Sequence, residues 1–434
     1  MKTFQRMIFV FFIIGVSTLR TNAQHNNDTT SESKLEITPY GRLQLLGFGQ
    51  SLTDHIQAGQ RVYMYLKEAR FGLQGNDDGT KLDIQFAFGG EDIIVAPSPG
   101  ISLQLLDFSI DVPLSQSLRL KAGQFKVPYG REDMTNTGYL SFGDRSIQYN
   151  AFEMGWDVGL ATYGTSGDLT AALGIFTGGG RDIPIKYLPE KVGIPMLVLR
   201  AGINDGYDED ILTVKQTDYN PSTGSAFYIN ALYTSDSRIG HSTVLNVKSS
   251  DKSLLLDGNW NPFIAASPLD VGQFWQIGAD AAVRKILRED LLGFAEAELN
   301  YGSYNNKYGS ISSAGGRIQF GIHQKPYEIA LRYAFISPSS KFAYIGSNQK
   351  SYSIVDDKLI HEITLGVTYF LKNDRLKLTL DLPILIQAPV MNDPISGSYV
   401  LTQQPDQVTY IASGGKVDRQ NIVQGRIQLQ YAFN

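Results

Sequence analysis

Residues 424–433 read QGRIQLQYAF. Ile427, Leu429, Tyr431 and Phe433 recur at every second position, and Arg426, Gln428 and Gln430 fill the places between them. A period of two sends alternate side chains to opposite faces of a sheet. The segment therefore predicts a strand with one greasy, aromatic face and one polar, charged face. A half-buried soluble strand shows the same alternation. A sheet closed in a membrane must keep it up around the whole barrel, with the apolar side turned to lipid.

The pattern recurs upstream. Strands are predicted near residues 36–49, 60–75, 81–89, 102–112, 118–126, 155–164, 169–177, 197–203, 225–234, 272–285, 291–301, 317–323, 327–335, 362–371, 375–382 and 424–433, sixteen in all. In the third, Leu82, Ile84, Phe86 and Phe88 share one face. Short connections such as Asn76-Asp77-Asp78-Gly79, Thr165-Ser166-Gly167-Asp168 and Lys372-Asn373-Asp374 carry turn residues. They alternate with long ones over 127–154, 178–196, 235–271, 302–316, 336–361 and 383–423. Such alternation is expected of an all-β, transmembrane antiparallel barrel of about sixteen strands, with short periplasmic turns and long extracellular loops. A soluble sandwich or jelly roll would account for the strands but not for the alternating loop lengths. One connection departs from the rule: 204–224 falls on the short side yet is long. It is either an insertion or a sign that the count is off by a hairpin, which would give fourteen or eighteen.

The N-terminus sets the compartment. Lys2 and Arg6 precede the apolar run MIFVFFIIGV at residues 7–16, and Thr21-Asn22-Ala23 places small residues before a cleavage point ahead of Gln24. This is the layout of a secretory signal peptide over 1–23. The apolar core is shorter than the roughly 20 residues that a spanning helix needs. Residues 24–35 are mostly polar and non-periodic and read as a flexible periplasmic leader, leaving 36–434 as the barrel domain. There is no cysteine, which excludes thiolate metal sites, disulfides and a lipoprotein anchor. Gly 43, Tyr 23 and Phe 22 suit strands with aromatic girdles, and a net charge of −5 with no basic patch argues against nucleic acid.

At residues 122–147 the chain reads AGQFKVPYGREDMTNTGYLSFGDRSI. This stretch resembles the phosphate-selective porin O and P family, in the run from Gly123 to Gly130 and the aromatic–Gly–Asp–Arg–Ser element at 142–146. EARFGLQG at 68–75, EITLGVTYFL at 362–371 and the closing strand fit the same family in the same order. The resemblance implies a sixteen-stranded porin of the Gram-negative outer membrane, general or anion-selective, trimeric, with an inward-folded third loop. Phosphate selectivity itself is not carried over, because no lysine-rich entry or arginine ladder aligns.

In a porin, pore width and lining charges select the solute. Face by face, Arg42, Arg70, Arg119, Lys121, Arg200, Arg284, Arg317, Arg332, Lys377 and Arg426 fall at lumen phase. So do Glu68, Asp83, Asp107, Asp111, Asp280, Glu296, Glu298, Glu328, Glu362 and Asp381. Two similar sets describe either an anion path or a network of compensating pairs that props the wall. The third loop, 127–154, is long enough to be functional. Its Arg131 and Arg145, with Lys126 at its root, are the leading anion-contact candidates, followed by Arg70, Arg119, Lys121, Arg284, Arg317, Arg332 and Arg426. The expected function is passive diffusion of small hydrophilic or anionic solutes, the expected partners being those solutes, outer-membrane lipid and two further copies of the chain. An adhesin or receptor acting through long loops, notably 383–423, is the alternative. No enzyme is expected, since none of His25, His55, His241, His323 and His361 lies near a Gly-x-Ser-x-Gly element. No cofactor or metal is expected.

Overall fold

The strand that opened the reading pairs with the first one, and that pairing closes the sheet. The computed structural model describes residues 36–52, 61–90, 103–178, 180, 195–213, 222–237, 272–306, 309–340, 343–345, 351–353, 359–392, 399–401 and 417–433. The expected signal peptide and leader lie outside the described residues. Sixteen antiparallel strands make the barrel. They are β1 (Glu36–Leu52), β2 (Arg61–Asp77), β3 (Thr80–Gly90), β4 (Gln104–Pro113), β5 (Leu118–Lys126), β6 (Trp156–Ser166), β7 (Leu169–Phe176) and β8 (Met196–Asp205). The second half comprises β9 (Gly224–Ser237), β10 (Gly272–Arg288), β11 (Leu291–Asn306), β12 (Gly309–Gln324), β13 (Tyr327–Ser340), β14 (Ile360–Lys372), β15 (Leu376–Asn392) and β16 (Val417–Phe433). Each pairs with its neighbours in sequence, and β1 meets β16 from Gly41↔Phe433 to Leu52↔Ile422. Closure is required because an open edge would leave backbone N–H and C=O groups unsatisfied in hydrocarbon.

The count of sixteen holds, so 204–224 is a true insertion rather than a lost hairpin. Several strands run further toward the long-loop end than the pattern predicted: β15 reaches Asn392 and β16 begins at Val417. In these extensions the inner face turns apolar, with Leu385, Ala388 and Ile422 fully buried, so the greasy–polar alternation stops before the hydrogen-bonded ladder does.

Burial is inverted relative to a soluble protein. On β7, Leu169, Leu173 and Ile175 are exposed on the outside, while Thr170, Ala172 and Phe176 are buried within. Outward aromatics gather toward both rims. Tyr327 and Tyr369 pair at 5.1 Å near the short-turn end, and Trp275 and Tyr301 at 5.4 Å near the long-loop end. These are the two interfacial belts of a transmembrane barrel. No helix among the described residues is long and apolar enough to cross a membrane, and the crossing is made by strands.

Candidate functional site

The third loop leaves β5 at Val127 and enters the lumen. Its only regular pieces are α1 (Arg131–Met134), a 3-10 turn (Thr137–Tyr139) and α2 (Ile147–Phe152). The chain turns into α1 at Gly130, whose φ of 68° is left-handed and whose α-carbon faces the Glu298 carboxylate closely enough to leave no room for a side chain. Asp133 ties the loop's start to its end. One carboxylate oxygen accepts the amides of Met154 (2.7 Å) and Gly155 (2.9 Å), and the other lies 3.6 Å from the Lys126 ammonium. Lys126 also donates to the Asp133 carbonyl.

From there the loop is fastened to the inner wall strand by strand. Arg131 makes a two-pronged ion pair with Asp208 (3.1 and 2.9 Å) and a further bond to Asp280 on β10 (3.1 Å). The Glu132 amide donates to Glu298 at 2.9 Å, and its carboxylate accepts the Ser146 amide and hydroxyl while lying 3.4 Å from Arg317. Asp381 accepts the Gly143 amide (2.7 Å) and Glu362 that of Ile147 (2.8 Å). Arg332 donates to the carbonyls of Asp144 (3.0 Å) and Arg145 (3.2 Å), and Lys377 to that of Leu140 (2.9 Å). A loop withdrawn from water must find a partner for each backbone polar group, and the charged inner wall supplies many of them.

Asp144 forms the most polarised of these contacts. Lys67 reaches its carboxylate at 2.7 Å, and Arg426 lies at 3.9 Å. Burial by itself would push this carboxyl up, but the two cations outweigh it and hold the group down to about 2. Burial likewise works against the Arg131 charge, and Asp208 and Asp280 overcome it, so the guanidinium stays charged well beyond its ordinary range.

The ten candidate cations divide by location. Arg131, Arg284, Arg317, Arg332 and Arg426 are each 4 % exposed or less and are engaged in anchoring. Arg426 holds Asp381 at 2.6 and 2.7 Å, Arg332 holds Glu362 at 2.6 Å, and Arg317 holds Glu296 at 3.1 Å. Arg284 donates to the carbonyls of Gly206, Tyr207 and Ser222, each at 3.0 Å. Arg70 is nearly buried, paired with Glu68 at 2.9 Å and 5.5 Å from the Trp156 ring centroid.

Arg119, Lys121, Lys126 and Arg145 are partly exposed. Arg119 pairs with Asp111 at 2.8 Å. Lys126 lies over the Trp156 ring at 4.8 Å, Lys121 over Phe125 at 5.1 Å and Arg145 over Tyr149 at 4.5 Å. Arg145 donates to the carbonyls of Glu132 (3.1 Å) and Thr135 (2.8 Å). Among the described residues, Lys121 and Arg145 make no ion pair with a carboxylate. On the neighbouring strands Asp83 accepts from the Tyr40 hydroxyl (2.6 Å) and Asp107 from the Trp156 indole (3.1 Å).

The sequence pattern missed two contributors. Lys67 sits at the wrong phase for the lumen because Glu68 already points inward. A bulge in β2 leaves Lys67 unpaired opposite the Gln44–Leu45 step of β1 and sets both Lys67 and Glu68 facing in. Asp208 belongs to the 204–224 insertion, and nothing in the local sequence says that this segment turns back into the bore.

The family model for the phosphate-selective porin O and P family matches residues 40–266, more than half of the chain. No curated protein is matched. Among solved structures, the chain is similar to the outer membrane channel DcaP of Acinetobacter baumannii, at 11 % identity over 93 % of this chain and 99 % of that one, with a TM-score of 0.50. It is also similar to outer-membrane expressed OmpT of Vibrio cholerae, at 9 % identity over 94 % of this chain and all of that one, with a TM-score of 0.49. At such identities the likeness to DcaP is one of fold. The family match, the sixteen-stranded closed barrel and the polar bore narrowed by an inward loop agree. The chain belongs to the phosphate-selective porin O and P family and is a passive-diffusion channel of the Gram-negative outer membrane.

Proposed function

We propose that the channel prefers anions and that small hydrophilic anions pass along the sector of the bore left open by the third loop. The observation that carries this reading is the position of Lys121 and Arg145, partly exposed and held by aromatic rings and carbonyls rather than by carboxylates. Lys126 and Arg119 lie on the same strand as Lys121 but are paired with Asp133 and Asp111, and Arg70 is paired with Glu68. Asp83 and Asp107 are occupied by neutral donors. A cation so placed can exchange a water for a passing anion without breaking an ion pair first. Four of the five buried arginines, Arg131, Arg317, Arg332 and Arg426, then act on the loop that sets the bore width, and Arg284 holds the β8–β9 insertion.

The test is the reversal potential of reconstituted channels across a KCl gradient. An anion-preferring value is expected, reduced or inverted in the Lys121→Glu, Arg145→Glu double variant. A cation-preferring wild type would reject the anion path and leave the channel as it is.

The proposal includes a homotrimer in outer-membrane lipid. Supporting it is a recess of about 700 Å³ on the outer wall where β1 meets β16, at Gly47, Gly49 and Gly425, rimmed by Val62, Met64 and Leu382. Glycines there leave a hollow that a side chain of another subunit can fill. Chemical cross-linking of native membranes is expected to give a ladder ending at three copies. It also includes removal of residues 1–23 on export and a free periplasmic leader over 24–35. Mass spectrometry of the mature N-terminus checks the first.

A further inference from the structure

The geometry points to Asp208, on the periplasmic insertion between β8 and β9, as the residue that positions the third loop and thereby sets which ions the channel passes. The described start of the insertion, residues 206–213, does not hang below the barrel. Beyond Asp205 the chain reverses at Gly206, where φ is 65°, and re-enters the bore. The Asn204 side chain fixes the reversal, accepting from the amides of Tyr207 (3.1 Å) and Asp208 (3.0 Å) and donating to the Asp208 carbonyl (2.9 Å).

The wall is shaped to receive it. Ala172, Ala226 and Ala282 occupy buried inward positions on β7, β9 and β10. With Tyr163 and Tyr228 they form a dry berth for Tyr207 and Ile211, both fully buried. Arg284 holds the backbone of the insertion by its carbonyls, and the Tyr207 hydroxyl donates to Glu296 at 2.9 Å.

The side chain delivered by all this is Asp208. Both of its carboxylate oxygens receive Arg131, and neither side chain is exposed. Arg131 and Arg200 share Asp280, and the Tyr228 hydroxyl closes on Asp208 at 3.2 Å. Two cations and two anions balance in a sealed site. An element from the periplasmic end thus holds the first turn of a loop that enters from the opposite end. The Glu132 and Thr135 carbonyls that hold Arg145 belong to that same turn. If Asp208 is removed, Arg131 keeps half its partners, and the turn carrying Arg145 loses its fixed point.

This inference rests on the third loop bounding the passage, and its test is separable from anion preference. The chain lacks cysteine, so a single introduced thiol reports alone. Thr135→Cys lies beside Arg131 at a position 1 % exposed, and Asn136→Cys, at an exposed position, serves as the accessible control. Full-length channels are to be labelled with a charged, membrane-impermeant thiol reagent and recorded in planar bilayers. With Asp208→Ala, or Asp208→Asn should the alanine variant fail to assemble, labelling of Thr135→Cys is expected to rise several-fold. Open-channel current should become noisy, and the reversal potential should move from its wild-type value, whichever sign that value has. Unchanged protection of Thr135→Cys in a folded Asp208→Asn channel would overturn the positioning role. A loosened loop with an unchanged reversal potential would overturn its link to ion selection.

Discussion

The carboxyl of Asp144 shows what a single lumen residue does here. Lys67 and Arg426 keep it ionised far below the ordinary carboxylate range. A group with a depressed folded pKa contributes its full stabilisation above the unfolded value of about 3.9 and loses it as pH falls through the folded value. The Asp144 contact should therefore persist to about pH 4 and fail as pH falls towards 2. Lys67→Met removes the stronger cation, so the onset of open-channel noise on acidification should move up towards about pH 4; single-channel recording across that range checks it. Breaking a buried pair from one side costs on the order of 3–5 kcal/mol. The folded Lys67→Met barrel should therefore also unfold at lower urea in detergent. Arg145 is the opposite kind of residue. It is held by carbonyls and a ring, and on the anion path proposed above its charge is the one offered to solute.

At the scale of elements, β2 owes its function to an irregularity. Val62 and Met64 face outward, as do Ala69 and Phe71, and the change of phase between them is absorbed at Lys67 and Glu68. Deleting Lys67 alone would restore an unbroken alternation. The variant should still insert and run as a heat-modifiable barrel, yet lose a contact to Asp144 and to the Gly143 carbonyl (2.6 Å). Its third loop should then be cut faster by added protease than the wild-type loop. Failure to form a barrel would show that the bulge serves the wall rather than the loop. The third loop itself has little regular structure of its own, and wall side chains satisfy many of its backbone groups. Its conformation thus belongs to the barrel as much as to its own sequence.

At the scale of the molecule, the inverted burial makes the barrel depend on its solvent. With Leu173, Ile175 and Phe320 turned outward and Arg200, Arg332 and Gln276 turned inward, the outside of the wall presents a continuous apolar band that water would not tolerate. The chain should leave membranes only with detergent and should shift in gel mobility on boiling. Recovery as a compact monomer in plain buffer would contradict the fold. The interior meanwhile resembles a polar protein core. Among the described residues its similar numbers of cations and anions pair largely with each other and with the loop, while Lys121 and Arg145 make no ion pair with a carboxylate. Charge counts taken along the chain therefore say little about the ion path.

The sequence by itself determined the barrel, a count of about sixteen strands, the end that carries the long loops and the inward facing of the charged wall residues. Each of those follows from a period of two and from connection length, which are properties of neighbours along the chain. Only the tertiary structure decided which lumen cations are committed to anchoring and which stay open, that the β8–β9 insertion turns inward to meet Arg131, and that Lys67 faces the bore. Those depend on contacts between residues far apart in the chain, Arg131 with Asp208 and Gly143 with Asp381, and on a bulge that only a partner strand reveals. Alternation fixes a direction for each side chain but not what it meets there.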